Sequence, residues 1–332
     1  MDRDSGTGAP HAVPRRRLLT TNLMSDKEHR AAYLALADSG ELRDRAQRAH
    51  DMLADCNVCA RYCRVNRLGG ELGACRTGKD AVISSYGPHF GEEAPLVGAH
   101  GSGTIFLTNC NLKCIFCQNY DISHEGHGTV ATPQALAAMM LSLQEQGCHN
   151  INFVSPSHQA PQILAALVVA SAQGLRVPLV YNSGGYDSVE TLALLDGIFD
   201  IYMPDCKYAE NETAQKLSGV PDYWDRNREA VREMHRQVGD LKVDGRGIAY
   251  RGLLVRHLVL PDGLSGTRQV TEFLASLSKD TYVNVMAQYR PCYTAAGVPE
   301  INRRVTAQEY ERAVQLAQEA GLRRLDERWR SL

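Results

Sequence analysis

From residue 104 onward, six short apolar, β-rich runs alternate with helical stretches, and few folds accommodate that rhythm. The runs fall at residues 104–108, 150–154, 177–181, 199–203, 253–260 and 282–286. Helical patterning occupies residues 132–146, 159–173, 188–195, 222–238 and 267–277, and a last helix is expected over 306–320. Thr132 followed by Pro133 reads as an N-cap with proline at the first helical position. Strands joined through helices pack as right-handed crossover units on a parallel sheet. Six strands are too few to close an eight-stranded barrel. The pattern predicts an α/β fold, a partial (β/α)6 TIM-like barrel of parallel strands with functional groups at the C-terminal strand ends. A doubly wound open sheet is the competing arrangement. It is disfavoured because cysteines stand after the first strand, where a phosphate-binding glycine fingerprint would be.

Those cysteines are Cys110, Cys114 and Cys117, in the stretch TNCNLKCIFCQN at residues 108–119. The C-x3-C-x2-C spacing delivers three thiolates from one short loop. An iron–sulfur cube has four irons, each needing a ligand beyond its sulfides, so three thiolates leave one iron open to a substrate or cofactor. An electron relay would normally be closed by a fourth cysteine. The plainer alternative is a trio of buried or zinc-binding cysteines.

A second group, Cys56, Cys59, Cys63 and Cys75, has C-x2-C-x3-C-x11-C spacing with glycines at 69, 70, 73 and 78. Four thiolates from one small module suit zinc or an auxiliary cluster equally. Either would fold a segment with little apolar material of its own. Cys148, Cys206 and Cys292 lie outside both groups and read as small buried hydrophobes.

A chain of 332 residues has room for one large α/β domain and a small appendage. Residues 1–24 are expected to be a disordered N-terminus, 25–100 a helical, Cys-rich N-terminal module, and 101–332 the barrel domain. Ser25 and Glu28 have the capping-box pattern for a helix to residue 39, and Gly40 separates it from a second over 41–53. The net charge of −2 shows no footprint for nucleic acid or an anionic membrane. No apolar h-region follows Arg15–Arg17, and the longest apolar run, 163–172, is far short of the roughly 20 residues a membrane helix needs. Clustered cysteines in a chain this large fit reduced thiols holding metal, and a cytoplasmic protein.

The Cys110–Cys117 loop resembles the radical S-adenosylmethionine (SAM) signature C-x3-C-x-aromatic-C, with Phe116 in the aromatic place. Over residues 103–291 the chain is similar to activating enzymes of glycyl radical proteins, near the pyruvate formate-lyase activating enzyme-like branch. The resemblance implies a 4Fe-4S cluster on Cys110, Cys114 and Cys117 whose open iron chelates SAM. It also implies reductive SAM cleavage and hydrogen abstraction, most naturally from a glycine of a partner protein or peptide. A flavodoxin- or ferredoxin-type electron donor is implied too. Asn182 and Ser183, opening Asn-Ser-Gly-Gly after the third strand, match the segment that contacts SAM. Asp205 and Lys207 match an Asp-x-Lys pair beside it, with a catalytic role, and Arg256 matches a cofactor-facing arginine. One departure is clear: where the family carries Gly-Gly-Glu, this chain has Val154-Ser-Pro-Ser-His158. Ser155 and Ser157 are the candidate substitutes there, with His158 nearby, and the segment would serve as well as a helix N-cap. Gln288, Tyr289 and Arg290, after the sixth strand, either meet substrate or close the barrel end. Residues 222–228 read as a solvated helical face anchored by Tyr223 and Trp224. Other readings are a radical SAM enzyme acting on a small molecule or another peptide, or a non-catalytic metal scaffold or redox sensor.

Overall fold

The computed structural model describes residues 29–326. The readings for residues 1–24 and for Ser25 and Glu28 lie outside the described residues. Among the described residues the strands are β1 (Ala81–His89), β2 (Ser102–Leu107), β3 (Thr129–Ala131), β4 (Ile151–Val154), β5 (Leu179–Ser183), β6 (Ile201–Pro204), β7 (Lys242–Val243), β8 (Ala249–Leu258), β9 (Tyr282–Met286) and β10 (Arg324–Leu325). They form one sheet in the order β10-β9-β8-β6-β5-β4-β2-β1-β3, with β7 on β8. Every pairing from β2 to β10 along this path is parallel. The expected partial barrel is thus present, as an α/β sheet that does not close.

The six expected strands are β2, β4, β5, β6, β8 and β9. Of these, β5 and β6 begin later than their apolar runs. Pro178 has no N–H to give the ladder, so β5 starts at Leu179 although the run begins at Val177. Three short strands, β3, β7 and β10, carry no signal of their own in the sequence. β1 pairs antiparallel with β2, so residues before 101 supply part of the same sheet.

Most helices follow the sequence periodicity, but the first begins only at Tyr33, residues 29–32 being non-helical where the capping-box reading expected helix. Thr132 caps Pro133–Glu145, its Oγ1 accepting from the Ala135 N–H at 3.2 Å. Gly40, at φ +86°, ends Tyr33–Ser39 and begins Glu41–Asp51. The periodicity gives no sign of the helix Asn211–Ser218.

The two faces of the sheet differ. Ile105, Ile151, Phe153, Leu179, Tyr181, Leu253, Val255 and Val283 pack under the helices in the main core. Alternate residues turn inward, where Val180, Ile201, Met203 and Leu254 meet Leu96. That apolar plug fills the lower interior, and the inward positions nearer the C-terminal strand ends are polar.

Candidate active site

The cysteine loop leaves the C-terminal end of β2 through Asn109, at φ +67°, a left-handed conformation that asparagine tolerates better than most residues. Asn111 Nδ2 donates to the Tyr186 carbonyl at 2.7 Å, while the Lys113 and Ile115 amides bond the Ser218 and Leu217 carbonyls. The loop is therefore pinned to the ends of two neighbouring crossovers. Cys114 is buried with its Sγ 2.9 Å from Ser218 Oγ, Cys117 Sγ lies 3.1 Å from Ser123 Oγ, and the Leu112 amide donates to Cys110 Sγ at 3.4 Å. Phe116 is buried edge-on to Tyr289, at 5.6 Å between centroids, and to Tyr208. It is a packing anchor that fixes the loop from below.

All three thiols are free. Burial and the neighbouring Cys114 push Cys110 up to about 12, and burial raises Cys114 against the opposing pull of Lys207. Neutral thiols so close together lose their protons when a cation binds them. Among the described residues no three ligands surround a common point. The donor chemistry, three thiols on one loop at the open end of the sheet, fits a cluster held at three corners.

Beside this loop stands a buried charge network. Arg256, near the end of β8, donates from Nε to Asp205 Oδ1 at 2.8 Å and from a terminal nitrogen to Asn182 Oδ1 at 2.7 Å. Lys207 Nζ donates to Asp205 Oδ2 at 2.5 Å. Burial would raise Asp205, but Arg256 and Lys207 outweigh it and hold the carboxyl below its ordinary range. Burial likewise works to lower Lys207 and Arg256, and Asp205 reverses both shifts. The structure thus brings Asn182, Asp205, Lys207 and Arg256 together from the ends of three adjacent strands. Lys207 also lies within electrostatic reach of Cys114.

The remaining expected residues are placed differently. Ser183 Oγ donates to Asp187 at 2.7 Å and accepts from the Gly185 amide, so it shapes its own turn. Ser155 sits at φ +60° with its amide on the Asn182 carbonyl, and its side chain makes no cap. Ser157 is buried beside Asp187 and Tyr181. His158 faces the other cysteine group, and burial pushes it down to about 3. Tyr289 donates to the Ile301 carbonyl under the cysteine loop.

Sequence reasoning missed two sets. Tyr223, expected as a packing anchor, is buried with a hydroxyl that takes the Lys207 N–H and reaches the Gly184 and Asp205 carbonyls. Asn227, one turn on, donates to the Gly185 and Asp205 carbonyls at 2.9 Å. The second set is Glu92 and Glu93, which enter the interior from the loop after β1 and feel Arg256 electrostatically. Glu93 Oε1 accepts from Asn284 Nδ2 at 3.0 Å, and Asn152 lies beside Glu92. Glu93 Oε2, Asn152 Oδ1 and Asn284 Oδ1 are buried without a hydrogen-bond partner. The adjacent acids in Phe-Gly-Glu-Glu were the available signal.

Gly185 shows how tightly the site is built. At φ +75°, an added Cβ would stand 2.0 Å from the Asp205 carbonyl oxygen and 2.3 Å from Asn227 Nδ2. Gly185→Ala is expected to lower stability by more than about 2 kcal/mol, since the left-handed backbone alone costs roughly 1–2 kcal/mol. Urea unfolding of the purified variant measures it, and an unchanged midpoint contradicts this account of the turn.

Residues 104–246 match the Radical SAM superfamily. Uncharacterized protein MJ0674 of Methanocaldococcus jannaschii is 35% identical over 282 residues, covering 82% of this chain and 77% of that protein. The maturase HydG of the [FeFe]-hydrogenase aligns at 12% identity and a TM-score of 0.46, over 66% of this chain and 49% of its own. A radical SAM methyltransferase from Sphaerobacter thermophilus aligns at 16% and 0.43, over 68% and 65%. The chain spans under two thirds of either solved structure. With the cysteine loop at the strand ends and a relative this close over four fifths of its length, the chain belongs to the radical SAM superfamily of enzymes.

Proposed function

We propose that this protein cleaves SAM reductively and abstracts a hydrogen atom from a glycine in a partner protein or peptide, in the manner of an activating enzyme. The observation that carries the reading is the Cys110–Cys114–Cys117 loop set beside the Asn182–Asp205–Lys207–Arg256 network. A cluster held by the three thiols would supply the electron that breaks the carbon–sulfur bond of bound SAM. The rest falls to the protein. Lys207 and Arg256 offer positive charge to a carboxylate, and Asp205 and Asn182 keep those cations in place. Low solvent access around the network strengthens each of these contacts and shields a reactive radical.

Two features favour a peptide substrate. The sheet is open at its side, which leaves an extended segment a lateral entry. Glu93 Oε2, Asn152 Oδ1 and Asn284 Oδ1 are unspent acceptors inside, suited to backbone N–H groups. The alternative within the superfamily is a small-molecule substrate, for which the same acceptors would serve an amine or hydroxyl.

Deuterium tracing separates the two. The reconstituted enzyme, SAM and dithionite are incubated without oxygen with an extract labelled at the glycine α-carbon and split by size. Deuterium in 5′-deoxyadenosine from the macromolecular fraction alone is the expected result. Label drawn only from the small-molecule fraction overturns the peptide reading.

A further inference from the structure

Cys56, Cys59, Cys63 and Cys75 line one small cavity with Arg67 and His158. The charge that nothing in the described chain answers lies elsewhere, in the polar interior of the sheet. Three carboxyls there are within electrostatic reach of Arg256: Asp205, Glu92 and Glu93. Lys207 and Arg256 both pair with Asp205, and His89 Nδ1 lies 2.8 Å from Glu92 Oε1. Glu93, only 4% exposed, touches no cation among the described residues. Its Oε1 accepts from Asn284 Nδ2 at 3.0 Å, and its Oε2 is buried without a partner. Arg256 acts on it only from a distance, because that guanidinium is committed to Asp205 and Asn182.

Two asparagines flank this pair of acids. Asn284 on β9 stands in register with Arg256 on β8, and its Oδ1 has no partner. Asn152 on β4 stands in register with Val180 of the apolar plug. It is fully buried beside Glu92, and neither end of its amide is bonded. Idle amides and an unpaired carboxyl at that depth are costly, and the apolar plug below them has no side chain able to bond them.

The three idle oxygens are Glu93 Oε2, Asn152 Oδ1 and Asn284 Oδ1. They match in number the three N–H donors of a primary ammonium group. A hydroxyl or a backbone N–H brings one donor, and neither carries a charge to set against a carboxylate. Burial raises the Glu93 carboxyl, while Arg256 and the Asn284 amide pull the other way, and a cation at Oε2 adds to that pull.

We propose that Glu93, Asn152 and Asn284 form a subsite for a primary ammonium group carried by the substrate. The proposal rests on the substrate reading above and narrows it: the segment that enters presents a lysine side chain or an amino terminus. Glu93 selects for the charge. A neutral segment leaves that carboxyl buried and unpaired, and it is rejected on that account.

Calorimetric titration of the reconstituted full-length enzyme, before any reduction, reads the subsite. n-Butylammonium copies a lysine side chain, glycinamide copies an amino terminus, and 1-butanol is the neutral control. At least one amine is expected to bind at one per chain, about tenfold or more tighter than 1-butanol, and the tighter amine names the source. Glu93→Gln keeps the shape and should weaken that amine at least about tenfold. Asn152→Ala removes a different wall of the subsite and should weaken it too, which keeps the test intact if Glu93→Gln fails to fold. Binding of neither amine, equal binding of 1-butanol, or full amine affinity in a folded variant overturns the proposal. Potassium chloride that displaces the amine at equal concentration also overturns it, since that marks a site for an inorganic cation. The titration involves no SAM cleavage, so its failure leaves the deuterium result standing, and a failed deuterium result leaves the subsite standing.

Discussion

Changing Cys114 to alanine is expected to reduce 5′-deoxyadenosine formation to background and to strip iron from the catalytic loop. Cys114 is the middle ligand and the one most enclosed, with Ser218 Oγ on its sulfur and Lys207 within electrostatic reach. Two remaining thiolates cannot hold a cube against exchange. The fold should persist, because the loop's hold on Ser218, Leu217 and Tyr186 runs through backbone groups and Asn111. Anaerobic reconstitution, iron analysis and product quantification after dithionite and SAM read the effect. A variant that cleaves SAM at the full rate defeats the assignment of this loop.

Arg256→Ala should cause the largest loss of stability at the site, about 3 kcal/mol or more, because it strips Asp205 of one of its two cations and removes the positive charge that offsets the burial of Glu93. The pH dependence gives the effect a signature. Asp205 is held below its ordinary value in the native protein, so its contribution is complete above about pH 4 and fades as pH falls through the native value. Glu93 is raised by burial, and it detracts from stability as pH climbs past its unfolded value. With Arg256 removed, burial acts on Glu93 without that opposing charge, and the variant should lose more stability than the parent from pH 5 to pH 8. Arg256→Lys should recover part of the charge but not the paired contacts to Asp205 and Asn182. Urea midpoints at the two pH values measure this, and a deficit independent of pH would contradict the network.

The six parallel strands were legible because each is short, apolar and set between helices of ordinary length. What blurred their edges was chemistry that an apolar run does not register, such as the missing N–H of Pro178. Short edge strands such as β3 and β10 were invisible, since two or three residues carry no period. The site divides in the same way. Asn182, Asp205, Lys207 and Arg256 were legible through the family resemblance, and each stands at a strand end, where a parallel sheet gathers its functional groups. Ser183 shared that position but turned to its own backbone. Glu92 and Glu93 were not found, because they come from a loop before the repeating pattern and reach the interior only through the antiparallel pairing of β1 with β2. Tyr223 and Asn227 were hidden inside a helix whose charges made it look like a solvated surface. His158 stands with the strand-end residues in sequence, yet the left-handed turn at Ser155 carries it towards the N-terminal cysteines.

One phenol ties the ends of two crossovers into a single body. By gripping Gly184, Asp205 and Lys207 at once, Tyr223 denies the loops after β5 and β6 any freedom to shift relative to each other. Adjustment to an incoming substrate must then fall to the opposite rim, where Tyr293 stacks on His124 and Tyr120 in partial contact with solvent. One wall of the cleft behaves as an anvil, and adaptation to guests of different shape is left to the other.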